Sequence, residues 1–198
     1  MSSAVRVPIE REEAPKKEAI LTAALELFAE RGFHGTAVPL IAEKAKVGAG
    51  TLYRYFPSKE AIVNALYRQE KLALGHALLA DFPVDAPTRE VFHEIWVRLG
   101  RYAKEHPKSI AFLELHHHGD YLDASSKAVE MQMLLPIQVF VQDAQKKQIL
   151  KDVPSEILMA CVWGAFVGLV SANWKGFLEI TPEALAQAEA CMWEAIRR

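Results

Sequence analysis

Cysteine is scarce in this chain: Cys161 and Cys191 are the only two in 198 residues, and both sit among apolar neighbours. No disulfide framework is implied, and a reducing, cytoplasmic setting fits. Excess charge of one sign is also missing. The formal net charge is −2, so bulk composition alone nominates no nucleic acid or membrane surface as a partner. Strand signals are nearly absent, and no internal repeat or low-complexity tract is visible. The sequence carries no Gly-rich phosphate loop, nucleophile elbow or zinc spacing, so neither an enzyme nor a cofactor is expected. The opening MSSAVRVPIEREEAPKK is polar and is not expected to be a signal peptide. Long apolar runs are missing with one exception, the uncharged 18 residues from Ile157 to Trp174. That length is borderline for a membrane span. Gly164, Gly168, Ser171 and Asn173 interrupt it and no second such run exists, so a helix buried between subunits, with no membrane, is the expectation.

What is present is ample apolar material, 51% of the chain, with an ordinary 24% of charged residues. Such a chain can bury a core and is not disordered. Apolar residues recur at helical spacing from about residue 16 to the end, which predicts an all-α fold of about nine helices. Residues 1–14 read as a disordered arm. Helices are expected over about 16–31, from Thr36, over 48–56, 58–79, 88–105, 108–118, 125–149, 155–174 and 182–197. Pro136 should bend or break the seventh near 132–136 by removing a backbone bond.

Charge is also unevenly placed. Between residues 31 and 59 stand Arg31, Lys44, Lys46, Arg54 and Lys59, against Glu43 alone. This locally basic stretch suits a DNA-facing module on a mildly acidic body. Residues 36–59 read TAVPLIAEKAKVGAGTLYRYFPSK. Thr36 is placed to cap the first of two very short helices, with Pro39 in its first turn. Helices this short are marginal alone, so Val38, Ile41, Ala42, Val47, Leu52 and Phe56 should share a core with Leu27 and Phe28. Two short helices joined by about three or four residues make a helix-turn-helix, whose second helix can enter a major groove. Ala49, Gly50, Thr51, Tyr53, Arg54 and Tyr55 then face outward. They offer hydroxyls, one guanidinium and small residues that permit close approach to DNA. The turn should place Lys46 in a left-handed backbone conformation.

The segment resembles the DNA-binding region of the tetracycline-repressor (TetR) family. Thr36, Ile41-Ala42, Ala45, Val47, Gly50-Thr51-Leu52-Tyr53, Tyr55-Phe56 and Ser58-Lys59-Glu60 carry the likeness, which covers about residues 16–65. It implies phosphate contacts from Thr36, Tyr53, Tyr55 and Lys59, and places Ala49, Gly50 and Arg54 nearest the bases. Three positions depart from the family pattern. Lys46 replaces the usual turn glycine, Gly48 the usual serine, and Ala49 a common lysine or polar residue. The resemblance further implies a DNA-binding domain over residues 1–60 and a helical effector-binding and dimerisation domain over 61–198. The whole would act as a dimeric repressor that leaves its double-stranded operator when a small molecule binds.

In the body, Ala160, Gly164, Gly168 and Ala172 form a smooth stripe. With Leu185, Met192 and Ile196 they are expected to make the homodimer interface. Aromatics and methionines at helical spacing are ordinary core. Phe92, Trp96, Phe112, His116, Met133 and Trp163 are nevertheless expected to line a cavity of at least about 300 Å³ for a mostly apolar effector. A second reading uses the Glu-x-x-His spacings Glu90/His93 and Glu114/His117, the pattern of carboxylate-bridged di-metal helical bundles. The run His116-His117-His118 cannot converge on one ion, because neighbours on a helix point about 100° apart.

Overall fold

The computed structural model describes residues 10–81, 83, 86–115 and 119–198. Those residues form nine α-helices and one π-helical turn, with a lone bridge between Leu150 and Arg197 in place of any strand. Helix α1 (Glu10–Arg31) precedes the short pair α2 (Val38–Lys44) and α3 (Ala49–Tyr55). The body holds α4 (Lys59–Leu79), α5 (Thr88–Glu105), α6 (Pro107–Ile110), the π-turn (Ala111–Leu115), α7 (Ala124–Lys146), α8 (Ser155–Trp174) and α9 (Pro182–Ile196). Residues 10–14, expected in a disordered arm, belong instead to α1.

In the N-terminal head, Ile20, Ala24, Leu27 and Phe28 of α1 bury completely or nearly so against Ile41, Ala42, Leu52 and Phe56. Val38 and Val47 close this cluster from its edge. Burial of an apolar side chain contributes about 1.5–3 kcal/mol. This shared core is what holds two seven-residue helices that could not persist alone.

The turn between α2 and α3 rests on Lys46, whose φ of 55° is left-handed as expected. Its N–H reaches the Glu43 carbonyl, while the Val47 N–H reaches that of Ala42. This is the double bond pattern of a Schellman helix end, normally built on glycine. The Thr36 cap, in contrast, is a correction. Ala37 occupies the cap position with no side-chain bond. The Thr36 hydroxyl points backwards into the core, reaching the carbonyls of Leu27 at 3.1 Å and Gly32 at 2.9 Å. It thereby stitches the end of α1 to the start of α2.

Helix α4 is shared by head and body. Ser58 caps its start by accepting from the Ala61 N–H. At its far end Arg98 donates to the Leu78 and Ala80 carbonyls. The buried Asn64 side chain donates to the Tyr121 carbonyl and accepts from the Asp123 N–H and Ser126 hydroxyl. The loop and first turn of α7 are thereby fixed against α4. Helix α7 continues through Pro136, so the expected break does not occur. Pro136 stands exposed, so the carbonyl it orphans lies on the solvent side, where water can satisfy it.

Replacing Lys46 by glycine should stabilise the fold by about 1 kcal/mol, because the left-handed backbone no longer strains against a Cβ. Urea titration of both proteins measures this. An unchanged or lowered midpoint would show that the Lys46 side chain contributes more than its backbone costs.

A candidate DNA-reading head and a ligand cavity

Helix α3 presents Ala49, Gly50, Tyr53 and Arg54 to solvent, with Thr51 and Tyr55 half-buried. Tyr53 is 51% exposed although aromatic. The Arg54 guanidinium lies over the Tyr55 ring at 5.2 Å from its centroid and donates to the Tyr55 hydroxyl at 3.4 Å. Four of the six expected residues therefore face outward, Thr51 and Tyr55 turn partly inward, and the guanidinium rests against an aromatic face. Beyond its own helical turn, nothing lies within 4 Å of where a Cβ on Gly50 would stand. This leaves the middle of the helix bare for close approach.

Two residues expected at phosphates sit differently. Thr36 is fully buried, so its hydroxyl cannot reach DNA. The Lys59 ammonium donates to the carbonyls of Phe33 at 2.8 Å and Thr36 at 3.0 Å, and rests over the Phe33 ring. Those carbonyls follow the end of α1, where negative partial charge collects. Lys59 thus clamps the loop between α1 and α2, with one N–H left beyond these two bonds.

Between head and body, Phe28 of α1 stacks on Phe112 of the π-turn at 6.1 Å between centroids, and Phe33 stacks on Tyr121 at 4.0 Å. Glu26 of α1 pairs with Lys108 of α6 and with Lys44 of α2. These two bonds hold its carboxyl down at about 2. Sequence reasoning placed Phe112 in the effector cavity. It is instead fully buried in this seam.

A cavity of about 400 Å³ opens within the body, above the expected lower bound. Phe92, Trp96, Met133 and Trp163 line it as anticipated, while His116 lies outside the described residues. Leu134, Ile137 and Phe140 of α7, Met159 of α8 and Trp193 and Ile196 of α9 complete much of its apolar wall. Helical spacing suggests methionines as ordinary core, but Met131 is 66% exposed.

Sequence reasoning missed the cavity's polar side. Lys71 on α4, its side chain 6% exposed, lies 3.3 Å from Glu114 of the π-turn and 3.6 Å from Glu130 of α7. The Tyr67 hydroxyl donates to Glu130 at 2.9 Å, and the Trp163 indole N–H to Glu114 at 2.9 Å. Burial, then the Glu130 carboxylate, push the Tyr67 phenol well above its ordinary value, so it remains a donor. A lysine in mid-helix carries no local signal of this. Its partners lie far along the chain, and only the fold assembles them.

The remaining expectations need correction. Glu90 is exposed on α5, and the His93 Nδ1 is engaged by the buried Glu189 at 2.8 Å. Glu114 serves the cavity, and His117 lies outside the described residues. The described members of the di-metal set are therefore not gathered round one point. Among the described residues, no three His, Cys, Asp or Glu side chains group to hold a metal. Of the expected interface residues, Ala160, Gly164 and Gly168 are exposed and Ala172 is half-buried. Leu185, however, packs against Gly100, and its carbonyl accepts from the Trp96 indole. Met192 packs on the core and Ile196 is buried at the cavity wall. The large apolar residues of α9 turn inward, and Ala190, Cys191 and Ala195 are left outside.

Comparison with known proteins agrees with this arrangement. The family model "Bacterial regulatory proteins, tetR family" matches residues 20–66, and "Tetracyclin repressor-like, C-terminal domain" matches residues 69–198. The HTH-type transcriptional regulator RutR of Escherichia coli K12 is 56% identical over 54 residues, 27% of this chain. That alignment spans only 26% of RutR's own length. A TetR-family transcriptional regulator from Vibrio parahaemolyticus is 26% identical, with a TM-score of 0.76 over 92% of this chain and 99% of that one. A regulator from Marinobacter aquaeolei VT8, 24% identical, shares the fold with a TM-score of 0.85 over 96% of this chain and 99% of that one.

Lys59→Met should cost about 2 kcal/mol, the value of charge-assisted bonds to carbonyls, and lower the melting temperature by about 6 °C. Thermal unfolding followed by circular dichroism tests this. A melting temperature equal to that of the parent would release Lys59 from its clamping role. The chain belongs to the TetR family of bacterial regulatory proteins.

Proposed function

We propose that this protein is a dimeric DNA-binding transcriptional repressor, released from its operator when a small, mostly apolar molecule enters the body cavity. The observation that carries the reading is the pairing of a bare, basic reading helix with a 400 Å³ apolar cavity. The two are joined through α4 and the π-turn. A repressor acting on an operator works in the cytoplasm, as a binding protein rather than an enzyme.

The coupling runs through short physical steps. The π-turn places Leu113 and Glu114 at the cavity and Phe112 against Phe28 of the head. π-Turns often mark functional sites, because the extra residue leaves a bulge that can rearrange. A ligand that shifts Glu114 moves Phe112 and hence α1. A ligand that shifts Lys71 moves α4 directly. Either movement changes the spacing of two reading heads in a dimer, provided the ligand binds the two arrangements with different affinity.

Dimerisation is supported by α8. By length and composition it is the one described helix apolar enough to cross a membrane, yet only 22% of its apolar window is buried within the chain. Ile157, Cys161, Gly164 and Gly168 lie exposed along it, and Phe177 beyond its end is 82% exposed. An apolar face of this extent needs cover. A second copy packing α8, with the small residues of α9, against its mate supplies it.

Two experiments test the proposal with the full chain. In gel shifts against DNA flanking its own gene, Arg54→Ala should weaken binding and reduce the salt slope by about one unit. Affinity and slope both unchanged would remove α3 from the groove. At Gly164 a Cβ would meet nothing within 4 Å beyond its own helical turn, so in Gly164→Glu each subunit should still fold. Sedimentation at micromolar concentration should show monomers, and a persistent dimer would locate the interface elsewhere.

A further inference from the structure

We infer that the body cavity selects an apolar organic monocation, such as an aralkyl amine or quaternary ammonium, over a neutral or anionic molecule of the same shape. This rests on the reading of the cavity as the effector site and adds the chemistry that the site recognises.

The charge balance of the polar wall carries the inference. Lys71 stands between Glu114 and Glu130, so two carboxylates face one ammonium. A third carboxylate, Glu156, lines the cavity farther along and accepts from Gln138. Among the described residues, Lys71 is the one basic side chain that lines the cavity. At 3.3 and 3.6 Å both contacts of Lys71 are longer than a tight ammonium–carboxylate bond. Glu114 and Glu130 are completed by neutral donors, Trp163 and Tyr67. Among the described residues the polar wall therefore holds more carboxylate than ammonium, with Glu114 and Lys71 sheltered and Glu130 38% exposed at the opening; salt screens the sheltered pair least. A single added cation makes the cluster neutral. An added anion would have Lys71 to pair with, but only in competition with the two carboxylates that already face it.

The aromatic surroundings favour the same charge. The Lys71 ammonium lies 5.4 Å from the Tyr67 ring centroid and 6.0 Å from that of Trp163. These are distances at which ring faces attract cations. The wall therefore already holds one ammonium between carboxylates and rings. Phe92, Trp96 and Trp193 extend the aromatic wall along the cavity, where the apolar body of a ligand would lie; the Phe92 and Trp193 rings already face the Arg89 guanidinium at 5.9 and 5.3 Å. A ligand cation beside Lys71 would repel it and draw on its two carboxylates. Those carboxylates belong to the π-turn and to α7, the two elements that meet α4 there.

Three probes of matched shape test this with the full-length protein: (3-phenylpropyl)trimethylammonium, its neutral carbon isostere 4,4-dimethylpentylbenzene, and the anion 4-phenylbutyrate. Tryptophan fluorescence and calorimetry read their binding. The cation should bind at least about tenfold tighter than the isostere, and the anion weakest. Glu130→Gln, which keeps an acceptor for Tyr67, should reduce the cation's advantage about tenfold while leaving the neutral probe unchanged. Equal binding of all three, or a preference for the anion, would overturn the charge inference and leave the effector cavity standing. A cation preference that survives in both Glu114→Gln and Glu130→Gln would overturn the assignment to this cluster. If no probe binds at all, the charge inference and the effector reading both fall.

Discussion

The rest of the structure depends on the burial of α4 between the head and α7. One flank of this helix completes the core of the reading head through Ile62, Val63 and Leu66, all fully buried. The other side carries Asn64, Arg68 and Lys71 towards the start of α7 and the cavity. A buried amide is costly unless its donors and acceptor are satisfied. Asn64 meets that condition by binding the chain at Tyr121, Asp123 and Ser126. Because these partners lie on one short stretch of chain, α7 has one position in which the account closes. The cavity wall is thereby set by the helix that also supports the head.

This arrangement explains why the seam between head and body is aromatic and charged at once. The Phe28–Phe112 and Phe33–Tyr121 stacks provide close packing. The exposed Glu26 bridge to Lys44 and Lys108 adds direction but little energy, since exposed ion pairs contribute about 0–1 kcal/mol. Packed rings transmit displacement because interiors are dense and neighbours must move together. A π-turn at the cavity, carrying one of those rings, is a suitable place for a small shift to begin.

The cavity itself reflects a compromise between packing and binding. Its tryptophans and phenylalanines could have filled the space, as most core aromatics do. Instead Trp163 directs its N–H to Glu114, and Trp96 directs its own to the Leu185 carbonyl. Trp96 is fixed by this bond together with its burial, and the half-buried Trp163 by its bond to Glu114. Fixed rings around an open volume suit a preformed site.

Local chemistry in the sequence by itself determined the helical class, the reading helix and the left-handed turn at Lys46. Each depends on spacing within a few residues: apolar periodicity, two short helices about four residues apart, and one junction that must reverse. The exposed set on α3 was legible for the same reason, since a helix with one buried face leaves the other determined. Long-range pairing was not legible. Thr36 could cap α2 or reach back to Leu27, and only the packed end of α1 selected the second. Leu185, Met192 and Ile196 were apolar enough for either face of α9, and packing on the body turned them inward, Leu185 against Gly100 of α5 and Ile196 to the cavity wall. Lys71, Glu114 and Glu130 are separated by dozens of residues, so no periodicity joins them. The tertiary structure decided that they meet, because burying α4 brings the Lys71 ammonium within reach of those two carboxylates.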